Sequence, residues 1–258
     1  MGEEAYTMKS KILLMLLLPL ILFMGGCNAN NEKVKIPSDW ILGGKPEKFS
    51  AKWNYANRCD DISISLDDGL MTAKTYEWKV PFDYLVIDRE QCRCTRCNGI
   101  FVGYNYGEFG GGLIFIPIDG SEYRVFDEKV RGFFAINDRI YVLIGLAHLG
   151  FSYGSIYELV CVGDIFEEKW EVVEILDICY APEAFILVNN ILYIATSDTL
   201  IAIKDGKISD TLVENAFWRG LYPNSMVYAN NSIFIGMRSG VYVYELETGL
   251  EKWYDVIP

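Results

Sequence analysis

Hydrophobic and polar positions alternate in short runs along most of this chain, and turn-forming residues separate the runs. Ile100-Phe101-Val102, Ile140-Tyr141-Val142, Leu192-Tyr193-Ile194 and Ile233-Phe234-Ile235 closely follow two-residue junctions at Asn98-Gly99, Asn137-Asp138, Asn189-Asn190 and Asn230-Asn231. Asparagine and glycine tolerate the positive φ angles of a type I′ turn, so each junction predicts a β-hairpin. The runs start 40, 52 and 41 residues apart. A second series follows at Leu113-Ile114-Phe115-Ile116, Ile156-Tyr157-Glu158-Leu159, Leu200-Ile201-Ala202-Ile203 and Val241-Tyr242-Val243-Tyr244, and three of its members lead into Asp119-Gly120, Asp205-Gly206 and Thr248-Gly249. Further alternating runs, such as Tyr123-Arg124-Val125-Phe126 and Trp170-Glu171-Val172-Val173, come next.

Each unit therefore reads strand, Asn turn, strand, loop, strand, Gly turn, strand. Four antiparallel strands repeating at about 40 to 45 residues predict the blades of a β-propeller. Four units fill roughly residues 82–258, and Ile62 to Leu66, Asp68-Gly69 and Met71 to Val80 form a further hairpin candidate, for about five blades in one domain over residues 39–258. An irregular β-sandwich built from the same strands is the alternative fold. The last unit, from Val241 through Glu245, Thr248-Gly249 and Trp253, resembles blades of the pyrroloquinoline-quinone-type, WD40-like propeller superfamily. The resemblance concerns fold: pocket residues for the quinone are not found, and no cofactor is expected.

The first residues have a different pattern. Met8-Lys9-Ser10-Lys11 precedes an apolar run from Ile12 to Met24 and then Gly25-Gly26, the order of a secretion signal over residues 1–26. The acidic Glu3 and Glu4 depart from a positive start, which points to Met8 as the initiator. The apolar run is short of the roughly 20 residues that cross a bilayer. Met24-Gly25-Gly26-Cys27 resembles the lipobox of bacterial lipoproteins, with methionine where that family prefers leucine. The resemblance implies a diacylglycerol and acyl lipid on Cys27 and a mature protein anchored to a bacterial membrane, at the cell surface or on the periplasmic face of the outer membrane. Residues 27–38 are polar and rich in asparagine, as a flexible tether would be.

Composition narrows the chemistry. A formal charge of −12 leaves no basic footprint for nucleic acid. Beyond Cys27 there are six cysteines, Cys59, Cys92, Cys94, Cys97, Cys161 and Cys179. An even number in an exported chain suggests disulfides. Free buried thiols, or a zinc site from Cys92-x-Cys94-x-x-Cys97 with Cys59, are the other readings; no metal is expected, because the second Cys-x-x-Cys of a zinc site is missing.

Catalytic signatures are sparse. The lone histidine, His148, lies in Gly145 to Gly150, read as the longest inter-strand loop, and no Gly-x-Ser-x-Gly elbow is present. Gly107 to Gly112 precedes a β run rather than a helix, so it reads as a mobile loop and not a phosphate cradle. No catalytic residue is assigned. In propellers, the loops between second and third strands gather on one face with the blade-to-blade connections. Here they carry Tyr104, Tyr106 and Glu108; His148, Phe151 and Tyr153; Tyr180 and Glu183; Trp218, Arg219 and Tyr222; and Arg238. Tyrosine, tryptophan and arginine dominate binding energy at interfaces, and aromatic rings stack on sugars. The expectation is a non-catalytic binding or scaffold lipoprotein that engages an envelope protein or glycan through this aromatic loop face. An envelope glycan lyase or hydrolase, and an immunity lipoprotein that neutralises a secreted toxin, are the alternatives.

Overall fold

A computed structural model describes residues 34–76, 97–118, 120–163 and 169–256, together with the backbone of 84–88. Its strands are β1 (Ile41–Gly43), β2 (Ile62–Asp67), β3 (Leu70–Thr75), β4 (Tyr84–Asp88), β5 (Gly99–Asn105), β6 (Gly111–Pro117), β7 (Tyr123–Phe126), β8 (Val130–Ile136), β9 (Arg139–His148), β10 (Phe151–Cys161), β11 (Trp170–Asp177), β12 (Pro182–Val188), β13 (Ile191–Thr196), β14 (Leu200–Lys204), β15 (Lys207–Val213), β16 (Ser225–Ala229), β17 (Ser232–Met237), β18 (Gly240–Glu245) and β19 (Glu251–Asp255). One short helix, α1 (Ala51–Ala56), lies between β1 and β2. The fold is all-β, made of several small antiparallel sheets without a closed barrel.

Local turn chemistry sets the hairpins. Asn137-Asp138, Asn189-Asn190 and Asn230-Asn231 all have φ between 49° and 62°, as do Asp68 at 49° and Asp205 at 52°, each followed by a positive-φ glycine. These pairs join β8 to β9, β12 to β13, β16 to β17, β2 to β3 and β14 to β15. Two loop expectations are corrected. Asn98-Gly99 is not a two-residue turn, because β4 ends at Asp88 and Gly99 is already the first residue of β5. The expected long loop around His148 is also absent: β9 and β10 run up to a two-residue turn at Leu149-Gly150, where φ is 45° and 87°. Gly107 to Gly112 holds a 3-10 turn over Gly107–Phe109, pinned by the Gly107 N–H on Asn105 Oδ1 at 2.8 Å.

Four sheets are meanders of consecutive strands, β4 to β7, β8 to β11, β12 to β15 and β16 to β19. β1 adds to the last of these by pairing with β19, and β2 and β3 form a two-stranded sheet. Alternate residues of the inner strands feed different cores, because successive side chains point to opposite faces of the sheet. Val142 packs with Phe101, Phe115 and Trp170, whereas its neighbour Leu143 packs with Ile156, Leu192 and Ile201. Ile233 and Tyr242 join Trp218, while Phe234 and Val241 join Ile62 and Met71. Each large side chain buried this way contributes roughly 1.5–3 kcal/mol.

The sheets thus stack in chain order, and β2–β3 packs on the last of them. First strands lie beside one another, β4 by β8, β8 by β12, β12 by β16 and β16 by β2. Gly132 allows the close approach of β8 and β12, since a Cβ there would come within 2.2 Å of the Phe185 ring.

The helix was not foreseen. Ser50 caps it by accepting from the Trp53 N–H, and Trp53 and Ala56, three residues apart, bury one face. Trp53 Nε1 donates to Phe217 O at 2.8 Å and fixes α1 on the β15–β16 connection. The chain is already docked at Val34, whose N–H and C=O both bond to the Asn230 side chain, at 2.9 and 2.7 Å. Among the described residues, no helix is long and apolar enough to cross a membrane.

Candidate functional site

The turns that link second to third strands meet one another at one end of the sheets. His148 at the end of β9 places Nε2 3.0 Å from Glu108 Oε2 on the β5–β6 turn. Arg219, on the β15–β16 connection, donates from Nη2 to Gly150 O at 3.2 Å. Ser152 Oγ and Ser197 Oγ are 3.1 Å apart, and Ser152 Oγ also accepts the Ala181 N–H at 2.9 Å. Hydrogen bonds therefore run from hairpin tip to hairpin tip across successive sheets and fix their relative heights.

The expected site residues divide by exposure. Glu108 and His148 are exposed and paired, and Tyr222 is exposed above Arg238, whose guanidinium lies 4.4 Å from the ring centroid. Tyr106 is half-buried against Tyr104, which is itself buried and accepts a hydrogen bond from Arg124 Nη2 at 2.5 Å. Tyr153 donates to Glu128 Oε2 at 2.8 Å, and burial with this acidic neighbour pushes its hydroxyl pKa up. Arg238 clamps α1 to β2: Nε donates to Asp61 Oδ1 at 3.1 Å, and Nη1 donates to Asn57 O and Oδ1. That ties its charge into the scaffold and leaves one face to Tyr222.

Trp218 requires a correction. It is 0% exposed, with Nε1 donating to Thr196 O at 2.9 Å and its ring packed on Phe217 and Tyr242. A side chain so enclosed cannot touch a partner, so Trp218 is a core residue between two sheets. In its place, sequence reasoning missed Phe109 and Leu149, which are 85% and 93% exposed and flank the Glu108–His148 pair. Phe151, 63% exposed, pairs with His148 across the hairpin, and its ring is tilted against that of Tyr153 with centroids 5.6 Å apart. Large apolar residues inside glycine-bearing turns, Gly107-Glu108-Phe109-Gly110 and Leu149-Gly150-Phe151, were the available signal.

Beneath the tips, the second residues of β8 and β12, Arg131 and Glu183, occupy matching positions in adjacent sheets. Glu183 is half-buried overall, but Oε2 is out of solvent without a hydrogen-bond partner. Burial pushes its carboxyl pKa up to about 7, although Arg131 and Arg219 pull it down. Burial likewise lowers the pKa of Arg131, whose Nε is held by Gly145 O at 3.0 Å. A carboxyl poised near neutrality under a loop face is an uncommon arrangement.

The cysteines do not converge there. Cys59, Cys161 and Cys179 are free thiols, with Cys179 exposed, while Cys97 is buried two residues before β5; Cys92 and Cys94 lie outside the described residues, as does Cys27. Among the described residues, no group of three or more His, Cys, Asp or Glu is placed to hold a metal.

No family model and no curated protein matches this chain. Among solved structures, the chain is similar to the computationally designed Ika8 protein at 14% identity and a TM-score of 0.39, over 74% of this chain and 57% of the length of that one.

Proposed function

We propose that this chain is an exported lipoprotein, anchored through Cys27, whose body is a propeller of about five blades that binds a partner protein in the cell envelope through its hairpin tips. The observation that carries the reading is the patch of Phe109, Leu149 and Phe151. Three large apolar side chains stand in water on two adjacent tips, held together by the Glu108–His148 pair at 3.0 Å. Contiguous exposed apolar groups rimmed by charge are a recurrent mark of protein interfaces. The propeller reading rests on the four consecutive four-stranded meanders with neighbouring first strands.

Replacing Phe109, Leu149 and Phe151 together by serine is expected to weaken capture of a stoichiometric envelope protein by at least about 30-fold, roughly 2 kcal/mol. Folding stability should stay within about 0.5 kcal/mol of the parent, because exposed sites seldom matter more. Capture by the triple variant equal to that by the parent would remove the tips from the interface. For the anchor, Cys27→Ser is expected to move the chain out of the membrane fraction and to abolish palmitate labelling; membrane retention with no label in the parent would refute lipidation.

A glycan lyase or hydrolase finds support in Glu183 alone, a carboxyl with a pKa near that of a general acid or base. Its sealed Oε2 would have to be uncovered by substrate. Sugar release by the parent and its loss in Glu183→Gln would favour that reading over binding.

A further inference from the structure

We infer that Arg131, Glu183 and Arg219 form a carboxylate-binding site beneath the hairpin tips, which takes the carboxylate of a small organic acid or of an acidic side chain on a bound protein. The inference is independent of the apolar patch, because it concerns charged groups that the patch does not include.

Backbone geometry builds the site. Gly145 and Gly154 face each other across β9 and β10. A Cβ on Gly145 would lie 2.8 Å from Pro182 Cδ, and one on Gly154 would lie 2.3 Å from Tyr180 O, so the two glycines let residues 180–182 settle on this hairpin. Pro182 opens β12 and Glu183 follows it. The carbonyl of the same Gly145 accepts Arg131 Nε at 3.0 Å. One hairpin position thus fixes both Arg131 on β8 and the entry of the strand that carries Glu183. Arg219 comes from the β15–β16 connection and is held by Gly150 O at 3.2 Å.

These three side chains are brought together without pairing. Arg131 uses one N–H and Arg219 uses one, each on a backbone carbonyl, and neither forms an ion pair with Glu183. Glu183 has no hydrogen bond among the described residues, and its Oε2 is out of solvent. Both guanidinium groups nevertheless act on its carboxyl through their charge. Charges removed from water and left unpaired cost several kcal/mol each, so a structural role alone would favour closing the trio into salt bridges. All three side chains remain only half-buried, which leaves each accessible from the tips.

Chemistry selects the ligand. Two arginines and one carboxyl keep a surplus positive charge whether Glu183 is ionised or protonated, so the ligand is an anion. Planar guanidinium forks match the plane of a carboxylate. Burial pushes the Glu183 pKa up to about 7, and in its protonated form it donates an O–H to the incoming carboxylate. Once ionised, it repels the ligand and competes for the arginines; a phosphate dianion meets that repulsion more strongly than a carboxylate does. The other titratable group beside Arg131 is Tyr153, which already donates to Glu128 Oε2 at 2.8 Å and whose pKa is raised, so Glu183 sets the pH response.

The test titrates acetate into the full chain and follows the Nε–H resonances of Arg131 and Arg219 by NMR. Both should shift saturably with one midpoint, about 1 mM or lower. Arg219→Gln should weaken acetate binding at least about tenfold with an unchanged unfolding midpoint, whereas the Phe109, Leu149 and Phe151 serine variant should bind it like the parent. From about pH 6 to about pH 8 the parent should lose at least about fivefold in affinity, and Glu183→Gln, whose amide donates at every pH, should bind without that loss. Glutamate blocked at both its amino and α-carboxyl groups stands in for a protein side chain. Binding comparable to acetate assigns the site to an acidic residue of a bound protein; exclusion of the blocked glutamate with acetate retained assigns it to a free organic acid. Non-saturating shifts, equal binding by Arg219→Gln, an affinity in the parent that is flat with pH, or tighter binding of inorganic phosphate than of acetate overturns the inference.

Discussion

Trp218→Ala is expected to cost about 3–5 kcal/mol of folding stability, the range for truncating a large aromatic in a close-packed core. Trp218 is 0% exposed, its rings lie 5.6 Å from Phe217 and 5.0 Å from Tyr242, and its indole N–H satisfies Thr196 O, so truncation leaves both a cavity and an orphaned carbonyl. Thr196 is itself 0% exposed, which keeps water from replacing the lost donor without rearrangement. Urea denaturation should show a lower midpoint with an unchanged slope. Trp218→Phe should retain most of the packing and lose the hydrogen bond, for a smaller cost of about 1–3 kcal/mol. At temperatures where the variants remain folded, partner capture should match the parent. Lost capture with unchanged stability would return Trp218 to the surface.

Glu183 should make stability fall as pH rises. Its folded carboxyl titrates near pH 7 against the ordinary value of 4.5, so between those values the folded chain holds a proton that the unfolded chain has released. Unfolding then releases a proton, and higher pH favours it. The accumulated penalty above pH 7 is about 3 kcal/mol, from roughly 1.4 kcal/mol for each unit. Glu183→Gln should remove this slope. A buried amide N–H₂ next to Arg131 and Arg219 brings its own cost at every pH, so the informative quantity is the difference in stability between pH 4 and pH 8 within each protein. An unchanged difference in the glutamine variant would mean that the carboxyl titrates normally, with water reaching Oε2.

Both predictions concern residues that were chosen from sequence for their position in a repeat, and the structure gives them different work. Trp218 lies on the β15–β16 connection between two sheets, and Glu183 is the second residue of the first strand of its sheet. The repeat could not assign their depth. Trp218 and Arg219 are neighbours in sequence, yet one closes the core between two sheets and the other reaches Gly150 O on a turn 69 residues away. The same limitation hid Phe109 and Leu149. An apolar residue in a turn reads as a packing residue until the tips of neighbouring hairpins are seen to leave it in water.

The sequence by itself determined what depends on near neighbours along the chain. Asn137-Asp138, Asn189-Asn190, Asn230-Asn231 and Asp205-Gly206 adopt positive φ because their own side chains tolerate it, and that fixes hairpin register without help from distant residues. Val142 and Leu143, or Ile233 and Phe234, are consecutive apolar residues that enter different cores on the two faces of their strands. Tertiary structure alone decided the rest, because each remaining feature joins groups far apart in the chain. β1 completes the sheet of β19 across more than two hundred residues, and Arg238 finds Asp61 and Asn57 from the other end of the domain. Glu183 acquires its raised pKa only when β8 and β12 pack and exclude water. Such pairings are selected by which surfaces bury most completely against one another, a property of the assembled sheets that no local run of residues encodes.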